Sequence, residues 1–460
     1  MPDNNAVFPR RALLLKLRLI LLIILGLSAV VAHDKALARG LAAAQGAIAA
    51  QSAAPAGSAQ QDRAAGYVLP PQLYARAVRY SREGYWLYFV TTVCTILILW
   101  LLIRWKTAPW LRNWAERITC RRWLQFVLFG PTLLLIFGIL LLPTAAWDQW
   151  RMRRFGMSVQ GWGAWLGDWT TSEIATALGG AVAIGLLYYM IRRSPRRWWL
   201  FLWALALPLV VLLVFIQPVA IDPLFETLEP LSISHPDLAD SIEVLAGRGG
   251  LSISPQHIYL LKTDGNSAEA DASSEGFGPT KSVFVMDSLI ASGPRAAVLH
   301  EVGHEIGHFM FTLDWIVFAI CVPLSLVLLY FIHRSFVWAL GRWGAQWNIR
   351  GPDDWASLPV LAFIVSLILI IFTPAANTLS RYREHEADRH GLDLVDGIVP
   401  NVREAGARAF QEYGEANLAD PDPPAFIEWW LFDHPPVNER IIFCRTYRPL
   451  TSLENAEPGK

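Results

Sequence analysis

His304-Glu305-Ile306-Gly307-His308 sets two imidazoles four residues apart with a carboxylate beside the first. On a helix, positions i and i+4 project from one face about a turn apart, so both rings can reach one zinc ion. Glu305 is then placed to act as general base on a water in the fourth ligand position. Further along, Glu384-His385-Glu386-Ala387-Asp388 offers Glu384 as a third ligand and Asp388, one turn later, as a partner for a ligand imidazole. An overlapping copy, His300-Glu301-Val302-Gly303-His304, shares His304, and spacing alone does not choose the register. The alternative to a metal site is a helix of solvated histidines. Against it, six of the ten histidines fall in these two segments, at His390 just beyond the second, and at His434. His385 and His390 lack i+4 spacing from Glu384 and read as surface histidines.

The elements that must position these groups are mostly apolar. The 460 residues are 54% hydrophobic and only 17% charged, well below the ~25% of soluble domains, which points to a membrane protein. Net charge is zero, giving no case for a nucleic-acid partner. Cys94, Cys120, Cys321 and Cys444 have no CxxC spacing, and read as small apolar side chains rather than disulfides or zinc ligands. Seven apolar stretches approach the ~20 residues that span a bilayer as helix: 12–32, 85–103, 123–147, 171–191, 198–220, 314–333 and 356–377. The first ends near Ala-Val-Val-Ala, which also suits a cleaved signal, but its length favours an anchor.

The division expected is an anchor or signal helix over 1–35, a linker with an amphipathic segment over 36–84, and four spans over 85–220. A catalytic α+β unit over 221–313 carries the zinc helix, two spans follow over 314–377, and 378–460 supplies the third ligand and a carboxy-terminal segment. Arginine is concentrated in 104–123 and 192–197. By the positive-inside rule those turns and the amino terminus face the cytoplasm, which puts both motif-bearing segments on the opposite side. Within 221–313, Pro236–Ala246 reads as a helix ended by Gly247, 257–261 and 282–286 as strands, and Pro294 as the start of the motif helix.

Several segments together resemble the type I integral-membrane CAAX prenyl proteases, a branch of the gluzincin metallopeptidases. Val302-Gly303-His304-Glu305-Ile306-Gly307-His308-Phe309 resembles their zinc helix and supports the second register. Ser380 through Asp388 resembles their third-ligand segment, and His434-Pro435-Pro436-Val437-Asn438-Glu439-Arg440 their carboxy-terminal His-Pro segment. Asp222-Pro223-Leu224-Phe225 and Gly276-Phe277-Gly278 through Met286-Asp287-Ser288-Leu289 match as well.

The resemblance implies one zinc ion on His304, His308 and Glu384, water activation by Glu305, and orientation of a ligand imidazole by Asp388. It places His434 and Arg440 near the scissile carbonyl or the substrate chain. It also implies a barrel of helices around an intramembrane chamber, and a peptide or protein substrate bound as an added strand. Asp271-Ala272 stands where the family has Asn-Ala, and a carboxylate cannot donate the amide bond that Asn can. Together with the outward-facing site, that widens the expected substrates from prenylated peptides to membrane or periplasmic proteins in a bacterial inner membrane. A site-two type protease fits less well, because its Asp ligand comes from a membrane helix. A transporter would need polar ligands in mid-membrane. An inactive, zinc-binding, substrate-holding scaffold would not need Glu305.

Overall fold

A computed structural model describes residues 66–217, 228–262, 272–276, 278–292, 294–310 and 313–448. The expected span 12–32 and Asp271 lie outside them. Helix α1 (Pro71–Arg104) begins with proline in its first turn, where the missing N–H is no loss. It starts well before the apolar run at 85, because its helical pattern continues through the polar 76–84 stretch. At ~1.5 Å per residue its 34 residues exceed the ~30 Å of hydrocarbon by several turns. A short amphipathic helix, α2 (Thr107–Ile118), buries Ala108, Leu111, Arg112 and Ala115 and leads into α3 (Arg122–Arg154). Helices α4 (Trp162–Arg193) and α5 (Trp198–Ile216) complete the amino-terminal bundle.

Five described helices are long and apolar enough to cross a membrane: Pro71–Arg104, Arg122–Arg154, Trp162–Arg193, Phe318–Trp343 and Trp355–Val395. The 198–220 stretch forms a shorter apolar helix. The protein is therefore a mainly α membrane protein with a small sheet, and its described part holds five such spans.

The sheet is β1 (Leu228–Pro230), β2 (Ile258–Leu261), β3 (Ala272–Glu275) and β4 (Ser282–Met286), in the order β1-β2-β4-β3. Strands β2 and β4 are parallel, with Ile258 opposite Val283. Strand β3 runs antiparallel to β4 at the edge, with Ala272 opposite Val285 and Glu275 opposite Ser282. The sequence predicts β2 and β4 from their β-branched and aromatic residues. Ala-Ser-Ser-Glu has no such signal, so β3 is set by pairing with β4 rather than by propensity. Helix α6 (Pro236–Arg248) covers the sheet through Leu238, Ile242 and Leu245. The motif helix α7 (Arg295–Phe309) starts just after Pro294.

Two apolar cores hold the described residues together. One joins Ala77 and Tyr80 of α1 to the sheet, α7 and the last turns of the long helix α9 (Leu358–Val395). The other joins Leu102 and Ile103 of α1 to α3, α4, α5, α8 (Leu313–Trp343) and the first turns of α9. Helices α1 and α9 thus run from one core to the other. All four cysteines are unpaired, and Cys444 is buried in the first core.

Candidate metal centre

Helices α7 and α9 cross with their backbones nearly touching. A methyl group at Gly307 would lie 2.9 Å from the Ala387 carbonyl oxygen, and one at Gly391 would lie 2.9 Å from the His304 backbone nitrogen. Gly303-x-x-x-Gly307 is thus a small-residue face that allows close helix approach, and it brings Glu384 down over the two histidines. The motif that supplies the histidines also supplies the glycines that seat them.

One ligand atom each from His304, His308 and Glu384 lies within 4.8 Å of the others. His304 Nε2 is 3.2 Å from Glu384 Oε2, and His308 Nε2 is 3.5 Å from Glu384 Oε1. The His304 and Glu384 side chains are each 6% exposed. On the far side of the His304 ring, Nδ1 is 2.8 Å from Asp388 Oδ1. That contact turns Nε2 toward Glu384. The donor set, two imidazoles and a carboxylate converging on one point, suits a borderline metal such as zinc.

Helix α12 (Val437–Thr446), which follows the short helix α11 (Ala425–Leu431), and the turn before it close the centre. Arg440 donates from Nε to Asp388 Oδ2 at 2.8 Å and from Nη2 to Oδ1 at 2.5 Å. The guanidinium is thereby engaged behind His304. His434 faces the centre, with Nε2 3.3 Å from Glu384 Oε2 and Nδ1 3.1 Å from Asp433 Oδ1. Glu305 accepts a hydrogen bond from the Ser274 hydroxyl of edge strand β3 at 2.8 Å. Neither Ser274 nor Asp433 carries a motif that reading the sequence could find.

The electrostatics differ from group to group. Burial lowers His308 to about 3, against the pull of Glu384, which keeps its ring in the neutral, ligand-competent form. Burial works against a charge on His304 as well, but Asp388 and Glu384 outweigh it and raise the group well above its ordinary value. His434 is likewise disfavoured by burial, yet Glu384 and Asp433 lift it to about 10. For Arg440 burial is again overcome, by Asp388, and the group is raised.

His300, of the overlapping motif copy, is fully buried and stands apart from this cluster, with its ring 5.4 Å from that of Phe410. Burial lowers it to about 4. His385 is exposed and packs on Phe443 at 4.4 Å, and His390 is half-buried.

Two family models match consecutive parts of the chain and together cover most of it: the CAAX prenyl protease N-terminal region with five membrane helices, over residues 61–227, and peptidase family M48, over 232–447. The chain belongs to peptidase family M48. It is therefore a membrane metallopeptidase. A Bacillus subtilis protein named as the uncharacterized metalloprotease YhfN is 28% identical over 383 residues, covering 82% of this chain and 86% of that one. A Caenorhabditis elegans CAAX prenyl protease 1 homologue is 25% identical over 60% of this M48 chain and 66% of its own length. The crystal structure of S. mikatae Ste24p superposes with a TM-score of 0.67 at 18% identity, covering 93% of this chain and 99% of that one, so the two share a fold.

Proposed function

We propose that the chain is a zinc endopeptidase of a bacterial inner membrane, with its active site on the periplasmic side and His304, His308 and Glu384 as metal ligands. The observation that carries this reading is the convergence of those three donors within 4.8 Å, beside a carboxylate at a sheet edge. Bound there, zinc supplies Lewis acidity, acidifying a water and polarising the scissile carbonyl. Glu305 takes the proton from the attacking water and passes it to the leaving amine, and the Ser274 hydroxyl holds its carboxylate at the edge of β3. Asp388 fixes the His304 tautomer with its ring aimed at the centre. His434, facing the centre with Nε2 beside Glu384 and held through Nδ1 by Asp433, donates to the developing oxyanion. Arg440 contributes by holding Asp388.

A peptide pairing with the β3 edge would gain main-chain affinity with little sequence demand. The names of the eukaryotic relatives support a prenylated CAAX substrate. A second reading, a general endopeptidase for membrane or periplasmic protein quality control, is favoured by Glu275. This carboxylate sits at the end of β3, where Gln217 Nε2 donates to it at 2.5 Å, and it disfavours an anionic substrate terminus nearby. The orientation is supported by arginine-rich turns 104–123 and 192–197 at the end of the bundle opposite the site.

The test is cleavage of a prenylated CAAX peptide and its unprenylated twin by purified zinc-loaded protein, with Glu305→Gln as control. Selective cleavage of the prenylated peptide supports the CAAX assignment, and equal cleavage of both supports the general endopeptidase. If neither peptide is cut, a zinc-binding scaffold takes the place of the peptidase; if Glu305→Gln is as active as the parent, both the role of Glu305 and the His304/His308 register are overturned.

A further inference from the structure

Helix α10 (Val402–Ala416) carries none of the family's motif residues, yet it is wedged between the motif helix and α12. Two residues one turn apart on one face make the contact. At Gly406 there is no room for a side chain, since a methyl there would lie 2.6 Å from His300 Nε2 and 3.2 Å from Cys444 Sγ. At Phe410 the opposite holds. Its ring, 4% exposed, lies with the Arg440 guanidinium carbon 3.9 Å from its centroid. The His300 ring meets it edge-on at 87°.

We propose that Phe410 is a positioning residue for the metal centre, fixing the plane of the Arg440 guanidinium so that its fork holds Asp388 against His304. The inference rests on the reading of His304 as a ligand. A guanidinium is a rigid planar fork, and two of its donors are committed to the two oxygens of Asp388. That arrangement fixes distance but leaves the plane free to tilt about the carboxylate. A ring stacked on one face removes the tilt, and a desolvated cation over an aromatic face is at the strong end of cation–π attraction. His300 in turn props the ring from the motif helix itself, one turn before His304. The order of support is His300, Phe410, Arg440, Asp388, His304. Leucine at 410 would fill much of the space but offer no π face.

The experiment uses the full-length protein in detergent, with zinc affinity measured by chelator competition and the visible spectrum recorded with cobalt(II) in place of zinc. Partners outside a metal's ligands typically cost 10–100-fold in affinity when removed, and Phe410 acts one step further out. Phe410→Leu is expected to weaken zinc about tenfold and shift the cobalt bands. At saturating zinc it should lower kcat while KM stays within about twofold. Phe410→Trp restores all three, because the face is restored. In an Arg440→Met background, Phe410→Leu has no further effect on zinc affinity.

Unchanged affinity and spectrum in a Phe410→Leu protein whose Tm has merely fallen would overturn the proposal, as would an equal loss in the Arg440→Met background. If Phe410→Leu does not fold, Phe410→Trp and Phe410→Met carry the comparison, and equal zinc affinity in those two is the overturning result. Failure of the parent protein to bind cobalt would sink the metal centre itself, a separate outcome from these.

Discussion

Each end of the molecule has a buried arginine–aspartate pair, and the two pairs do different work. At the arginine-rich end Arg112 meets Asp354, with side chains 2% and 4% exposed. At the other end Arg440 meets Asp388, with side chains 10% and 1% exposed. The pairs are alike in chemistry and burial, and differ in what else the aspartate holds. Asp354 also accepts from the backbone nitrogens of Arg350 at 2.8 Å and Ala356 at 3.1 Å. It closes a turn before α9 and ties it to α2. Asp388 uses its remaining capacity on the His304 ring. A buried ion pair is thus no sign of function in itself; the third partner decides. Where that partner is backbone the pair is a clasp, and where it is an imidazole facing other donors the pair is part of a site.

The largest effect tests whether the catalytic end does chemistry at all. Glu305→Gln should keep zinc at parental affinity and lose about 10²–10⁴-fold in kcat, the usual contribution of a general base. Metal content and peptide turnover on the same preparation check this, and loss of zinc in the variant would mean that Glu305 has been assigned the wrong role. Next, Arg112→Met strands the Asp354 carboxylate in a buried place, which typically costs about 3–5 kcal/mol. The expected result is a lower Tm with zinc affinity and kcat per folded molecule unchanged. Lost zinc affinity there would show that the two ends are not independent, and the contrast between the pairs would collapse. Third, Asp388→Asn keeps shape but removes the charge on which both Arg440 and His304 depend, and a 10–100-fold loss in zinc affinity is expected by chelator competition.

What was legible in the sequence divides along the same line. Five of the seven expected spans follow from composition, because an apolar run of twenty residues has few other fates, whereas 198–220 gives a shorter helix and 12–32 lies outside the described residues. The convergence of His304, His308 and Glu384 could be anticipated because two short motifs carry the donors and the resemblance joins them. Contacts that depend on tertiary approach were not readable. Ser274 sits in a strand without strand propensity, and Phe410 looks like any core aromatic until α10 is seen lying over Arg440. Gly303 and Gly307 were visible as part of the motif, but their reason, backbone contact with Ala387 and Gly391, exists only once α9 is folded against α7. For Arg440 the resemblance implies a place near the scissile carbonyl or the substrate chain; its fork on Asp388 follows from α12 packing on α9, which no local pattern encodes.

The smallest effect concerns protons and sharpens the contrast from the catalytic side. Burial opposes a charge on His304, yet its carboxylate partners raise the group well above its ordinary value, so near neutral pH the ring holds a proton that a metal must displace. Below that raised value, each pH unit removed makes displacing that one proton about tenfold harder, so zinc affinity should fall by up to about tenfold per unit as pH is lowered from 8 to 6. The sign follows from competition: acid favours the protonated ring and opposes the metal. In Asp388→Asn one of the two carboxylates that hold the proton is gone, so the same titration should be flatter even though affinity at pH 8 is lower. Zinc binding measured by chelator competition at several pH values in both proteins decides it. Parallel slopes would mean that Asp388 orients the His304 ring without helping to hold its proton, leaving its charge to serve Arg440 alone.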